Sequence, residues 1–163
     1  MALDTTIGGT AADSYGTLTA YTAYSTALGR TLAATEVANE VNLRKAALFL
    51  DRKFDFIGSQ QYQYQSLSWP RLVRDLVDGF PVNPDTIPED IKKAQFEMAF
   101  IFQGGLDPFA TIETSTTGES IKVGPITIAS DNLPTSTPRI VAIEGLLRQY
   151  IIGGAGQISL RRG

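Results

Sequence analysis

Leu67-Ser68-Trp69-Pro70-Arg71 and, a polar loop later, Asp85-Thr86-Ile87-Pro88-Glu89-Asp90-Ile91-Lys92-Lys93-Ala94-Gln95 decide how this chain is read. The second block opens a helix. Pro88 suits the first helical position, where its missing N–H is harmless, and Glu89 and Asp90 sit favourably at the positive helix end. Ile91, Ala94, Met98 and Phe102 then recur at helical spacing, and from Phe96 to Phe102 nearly every residue but Glu97 is apolar. Such a half-helix is buried almost all round and forms the centre of its domain, ending at Gly104-Gly105. In the first block proline holds Trp69 extended and removes a backbone donor, so the only tryptophan projects from a stiff turn. A core anchor is the plain reading of Trp69 and an interface anchor the alternative.

Upstream, a helix runs from Thr35 to about Phe54. Leu43, Ala47, Leu50 and Phe54 line one stripe; Val37, Val41 and Leu48 form a second, well round the helix, with Arg44, Lys45, Asp51, Arg52 and Lys53 between them. A helix apolar on two faces packs on its own core on one side and meets a partner on the other, or is central to its domain. Before it, Ala20–Leu28 is a short helix ended by Gly29, a C′ glycine. Its Tyr21, Tyr24 and Leu28 share a face, read as core, with a base-stacking platform as the alternative. Residues 1–16, small and polar, read as an N-terminal arm that orders against a neighbour.

The loop after Gly58, Gln60-Gln61-Tyr62-Gln63-Tyr64-Gln65, alternates in a way that suggests an extended segment. Residues 106–119 are a polar linker, and residues 119–130, with Ile121, Val123, Ile126 and Ile128 around Gly124-Pro125, form a hairpin or bent strand. A last helix starts at Pro138 behind Thr137, with Ile140, Ile143, Leu147, Tyr150 and Ile151 on one stripe and a Glu144–Arg148 pair outside. After Gly153-Gly154-Ala155-Gly156 comes a short alternating, basic segment, Gln157–Gly163. The reading is therefore mainly α: a small helical bundle over residues 17–152 with a protruding extended segment, and a C-terminal docking tail over 153–163. In that tail Ile158 and Leu160 enter pockets of a partner while Arg161 and Arg162 reach its acidic groups.

With 163 residues the chain suits one domain with a modest core, and 43% hydrophobic residues argue against wholesale disorder. The net charge of −3 speaks against a protein that coats duplex DNA. With no cysteine and no histidine, thiolate nucleophiles, cysteine-ligated metals and the commonest general base are excluded. No Walker loop, dinucleotide glycine pattern, HExxH or EF-hand loop is present, and the glycines at 153–156 follow a helix and do not join a strand to one. Asp75 with Asp78, and Asp4 with Asp13, lack a readable basic partner and read as solvated loop carboxylates. We therefore expect no catalytic, cofactor-binding or metal-binding residues and no enzymatic turnover, with a carboxylate-only enzyme as the distant alternative. The N-terminus lacks the basic start and apolar run of a signal peptide and no apolar run approaches membrane-spanning length, so a soluble product made in the cytoplasm is expected, with no membrane partner.

Four blocks in series resemble the head–tail connector (adaptor, or head-completion) proteins of tailed bacteriophages. They are Asp13-Ser14-Tyr15 before a tyrosine-bearing helix, Lys45-Ala46-Ala47-Leu48-Phe49-Leu50-Asp51, Leu67–Arg71 and Ile87–Ala94. Residues 13–105 carry the resemblance best, and Ser120-Ile121-Lys122-Val123-Gly124-Pro125-Ile126 resembles the family's later extended block. The resemblance implies a structural virion protein at the neck between head and tail. It implies a ring of about a dozen copies around the DNA exit channel, with the portal and a tail, stopper or nozzle protein as partners, and DNA passing without sequence-specific binding. It also implies that the C-terminal segment reaches the portal. Many such sequences carry the label DnaT-like single-stranded DNA-binding protein, and single-strand binding is the alternative function. Arg44, Lys45, Arg52 and Lys53 are offset by Glu36, Glu40, Asp51 and Asp55, which suits a sliding channel better than a DNA reader.

Overall fold

The computed structural model describes residues 2–74, 76–77, 79–105, 121–123, 126–128 and 138–152. Among them are four helices, α1 (Leu18–Ala27), α2 (Glu36–Lys53), α3 (Glu89–Gln103) and α4 (Pro138–Leu147). Three antiparallel strand pairs accompany them: β1 (Ser59–Gln60) with β2 (Arg71–Leu72), β3 (Leu76–Val77) with β4 (Phe80–Pro81), and β5 (Ile121–Val123) with β6 (Ile126–Ile128). The mainly α expectation holds, and β5 and β6 pair as a small antiparallel hairpin, registered Ile121 to Ile128 and Val123 to Ile126.

The helix ends follow their capping chemistry. Thr17 and Thr35 cap α1 and α2 through their hydroxyls, which accept from the Ala20 and Ala38 amides at 3.1 and 3.3 Å. Past α1, Gly29 takes a left-handed conformation while its N–H and that of Arg30 return to the Thr26 and Ser25 carbonyls. At α3 the structure shifts the reading by one residue. Pro88 is the N-cap, with extended ψ of 143°, because its carbonyl already accepts from Ile91 and Lys92. Glu89 and Asp90 then occupy the first turn.

The core lies between α2 and α3, with α4 laid on α3 and α1 across one end. Leu43 and Leu50 from α2, Ile91 and Met98 from α3, and Ile143 and Leu147 from α4 are fully buried. Each such side chain contributes about 1.5–3 kcal/mol through removal from water. Trp69, joined to Pro70 by a cis peptide, is part of this core: its ring meets Phe56 and Tyr150 edge-on at 5.8 and 5.6 Å. The chain after α4 zips onto the chain after α2, Ile57 N–H donating to the Tyr150 carbonyl and Ile152 N–H to that of Asp55. Arg148 falls past the end of α4, so the expected Glu144–Arg148 pair is not an in-helix pair.

The N-terminal segment departs furthest from expectation. It docks on the chain's own helices and needs no neighbour to order it. Gln95, fully buried, accepts from the Tyr15 and Gly16 amides at 3.1 and 3.0 Å and donates to Leu43 carbonyl and Ser14 Oγ at 2.9 and 2.8 Å. All four hydrogen-bonding positions of one amide are thereby used. Gly16 approaches so closely that a Cβ there would stand 2.5 Å from the Phe96 ring. Ser66 adds bonds to the Gly9 and Ala12 carbonyls, and the Tyr15 hydroxyl donates to Asp51. The Gln60–Gln65 alternation, read as extended, is a turn closing β1 onto β2, because buried Gln65 folds back to donate to the Leu67 and Pro70 carbonyls.

Candidate functional site

A depression of about 420 Å³ lies between the end of α2 and the Trp69 turn, lined by Asp51, Phe54, Asp55, Phe56, Gly58, Ser68, Arg71 and Ile152. Of its three charged residues, Arg71 and Asp51 are committed to the fold, and Asp55 is the third. The Arg71 guanidinium donates to the Phe56, Ile57, Gly58 and Ser68 carbonyls at 2.7–3.3 Å, fixing the loop that follows α2. Burial depresses the pKa of this group. Asp51 accepts from the Tyr15 hydroxyl and from Ser68 N–H, and burial raises its carboxyl above the usual range despite those bonds. Burial, and then the Asp51 charge, pushes Tyr15 well up. This is a strut joining the N-terminal segment, α2 and the tryptophan turn; a nucleophile held for chemistry needs an unengaged acceptor or base beside it.

Asp13, Glu40 and Glu97 are engaged similarly. Asp13, expected to be solvated, finds the Arg44 guanidinium at 2.6 Å, a partner 31 residues on that spacing could not reveal. Arg44 also meets Glu40, and Asp13 accepts from the Asp4 amide. Arg30 pairs with Glu97 at 2.9 Å and lies over the Phe100 ring. Tyr24 donates to the same Glu97, its pKa raised to about 12 chiefly by burial. Tyr21 is buried against Phe96, so the α1 tyrosines are core and not a stacking platform. Among the described residues no group of three or more His, Cys, Asp or Glu is placed to hold a metal ion. Asp75 and Asp78 lie outside the described residues. No helix among the described residues is long and apolar enough to cross a membrane.

Among the described residues the outer face of α2 is left uncovered. Val37, Val41 and Leu48 remain 63, 40 and 44% exposed, while Leu43, Ala47, Leu50 and Phe54 turn inward as their spacing requires. Lys45 and Arg52, also exposed, fall on the same line at i, i+4, i+8, i+11 and i+15 from Val37, the Lys45 ammonium lying over the Phe102 ring of α3 at 5.9 Å. The stripe therefore carries three apolar side chains, two cations and no carboxylate, on a chain whose net charge is −3. Glu40 and Asp51 point elsewhere, to Arg44 and Tyr15. Sequence reasoning found the apolar members, placed Lys45 and Arg52 between the two stripes and counted the charges along the helix as balanced.

Two aromatic residues stand out further along the chain: Tyr64 in the β1–β2 loop, 73% exposed, and Phe80 on β4, 74% exposed. Neither was singled out from the sequence. Tyr62, by contrast, is tied to Asp85 at 3.1 Å. The tail residues Ile158, Leu160, Arg161 and Arg162 lie outside the described residues. No curated protein and no solved structure matches the chain. A family model does, over residues 1–163, and the chain thus belongs to the family described as "Putative DnaT-like ssDNA binding protein".

Proposed function

We propose that this protein is a structural assembly subunit, a head–tail connector of a tailed bacteriophage. In this reading copies form a ring between the portal and a tail component, and DNA passes through the lumen. The observation that carries it is the exposed apolar stripe of α2, Val37, Val41 and Leu48, on a fold whose buried side is already complete without it. The commitment of Arg30, Arg44 and Arg71 to internal partners supports it, since a DNA-coating surface needs such cations turned outward. In this reading Ile158, Leu160, Arg161 and Arg162, behind the glycines at 153–156, dock on the portal, and many weak contacts add up through multivalency. The work is mechanical and involves no turnover of a substrate.

The family's description favours a second reading, single-stranded DNA binding, and favours it directly: it names single-stranded DNA and no portal or ring. Exposed Tyr64 and Phe80, with Arg52, Lys53 and Arg74 at the surface, are the residues available for stacking and phosphate contact. Light scattering of the purified protein, with and without a single-stranded oligonucleotide across a salt series, separates the two. A connector gives a mass above the monomer that grows with concentration, with no gel shift at physiological salt. A salt-sensitive shift by a monomer overturns the connector reading in favour of strand binding.

A further inference from the structure

Of the three strand pairs, β5 with β6 is the longest, at three residues a strand, and no other described helix or strand lies against it. Five of its six residues, Ile121, Val123, Ile126, Thr127 and Ile128, are β-branched, the type that favours a pleated backbone, and neither strand contains a proline. By contrast β3–β4 carries Pro81, and β1–β2 holds no β-branched residue. Two residues separate Val123 from Ile126, so this pair exchanges both of its backbone hydrogen bonds, and Ile121 with Ile128 does the same. Lys122 and Thr127, opposite each other between those pairs, turn their N–H and C=O groups outward, along the free edge of β5 and of β6 respectively. Among the described residues no third strand takes either edge. Sheets blunt such edges with proline, bulges or several charges, and here Lys122 is the single charge. A lone two-stranded hairpin is marginal in water; a further strand stabilises it.

We infer that the β5–β6 hairpins of successive copies join edge to edge, β6 of one copy against β5 of the next, into one antiparallel sheet. The inference deepens the assembly reading and rests on it. The occupant is a second copy because the two edges answer each other. Thr127 offers one N–H and one C=O on one side, and Lys122 offers the same on the other. Copies related by rotation about an axis along the strands bring a β6 edge beside a β5 edge in antiparallel direction, and every copy then uses both edges. The contact is head-to-tail, which closes into a ring when the rotation permits and otherwise continues as a filament. A two-fold dimer would instead pair β5 with β5 or β6 with β6, leaving one edge of each copy open.

The chain has no cysteine, so introduced thiols are the only ones present. Paired strands lie about 4.8 Å apart, within reach of a disulfide, and like strands of successive copies would lie about twice as far apart, beyond it. A Lys122→Cys protein and a Thr127→Cys protein are oxidised separately and as a mixture, with sedimentation on the same samples and amide hydrogen exchange on the wild type. The inference expects covalent dimers in the mixture only, and exchange at Lys122 and Thr127 slowed about tenfold or more on assembly. Thr127→Pro removes the outward donor of β6 without touching a bond within the hairpin. It should weaken association about tenfold while leaving the urea midpoint unchanged. Dimers from either single-cysteine protein alone overturn the inference in favour of a two-fold contact. Assemblies with neither a cross-link in the mixture nor slowed exchange overturn the hairpin contact and leave the connector reading in place. Monomers throughout overturn both, and slowed exchange in those monomers would assign the edges to the chain's own segments.

Discussion

Leu48 and Leu50 lie two residues apart on α2, one 44% exposed and the other fully buried. The same contrast runs along the whole helix: Leu43, Ala47, Leu50 and Phe54 fill the space against α3, and Val37, Val41 and Leu48 face water, with Lys45 between Val41 and Leu48 and Arg52 a turn beyond. Side-chain chemistry does not separate the two sets. Angular position does, at 100° per residue, and so does what α3 happens to cover. The inner face answers to folding. Among the described residues the outer face has no role in the core, and the assembly proposal assigns it to a contact between copies.

That contrast can be broken by substitution, and the largest effect belongs to the inner face. Leu50→Asp places a carboxylate where no partner waits, and should destabilise by about 4 kcal/mol or more, enough to unfold the domain. Circular dichroism at 25 °C checks this; a helical, cooperatively melting Leu50→Asp protein would show that α2 is less central than described. Next comes Gln95→Leu, which leaves the Tyr15 and Gly16 amides, the Leu43 carbonyl and the Ser14 hydroxyl without their shared partner. A loss of about 2–4 kcal/mol is expected in urea unfolding, together with rapid proteolysis between residues 2 and 16. Unchanged protease resistance of that segment would mean that Gln95 does not hold it.

A smaller effect is pH-dependent. Burial raises the Asp51 carboxyl above its ordinary value in the folded protein, so the native state binds that proton more tightly than the unfolded chain. The contribution of Asp51 to stability is therefore greatest below the unfolded-state value and falls as pH rises through the folded-state value. Comparing urea midpoints of the wild type and Asp51→Asn upward from about pH 4 should show the wild type losing ground relative to the variant. A gap moving the other way would mean that the bonds from Tyr15 and Ser68 outweigh the burial.

Much of this was legible in the sequence because it is periodic or local. The stripes of α2 and α3, the threonine caps and the glycine after α1 follow from spacing and backbone chemistry, and the family resemblance came from short blocks in order. The rest depends on pairs far apart in the chain. Gln95 looked like an ordinary polar residue on α3, although its position four residues after Ile91 puts it on the inward face; only the arrival of residues 14–16 explains it. Asp13 and Arg44, and Tyr15 and Asp51, meet across 31 and 36 residues for which no local pattern exists. Phe80 could have been suspected from the Asp78-Gly79 turn signal, since a tight hairpin tip seldom buries its flanking residues. The Gln60–Gln65 loop misled because polar alternation resembles a strand until Gln65 turns its amide inward.

The smallest expected change in stability belongs to the outer face, and it tests the central claim. Val41→Asp replaces an exposed side chain, so its urea midpoint should match the wild type within about 0.5 kcal/mol. Sedimentation equilibrium of the two proteins side by side then decides. The account predicts that the wild type assembles with rising concentration while folded Val41→Asp remains a monomer. A wild type that stays monomeric throughout, or a Val41→Asp protein that assembles equally well, contradicts the assignment of this face to assembly.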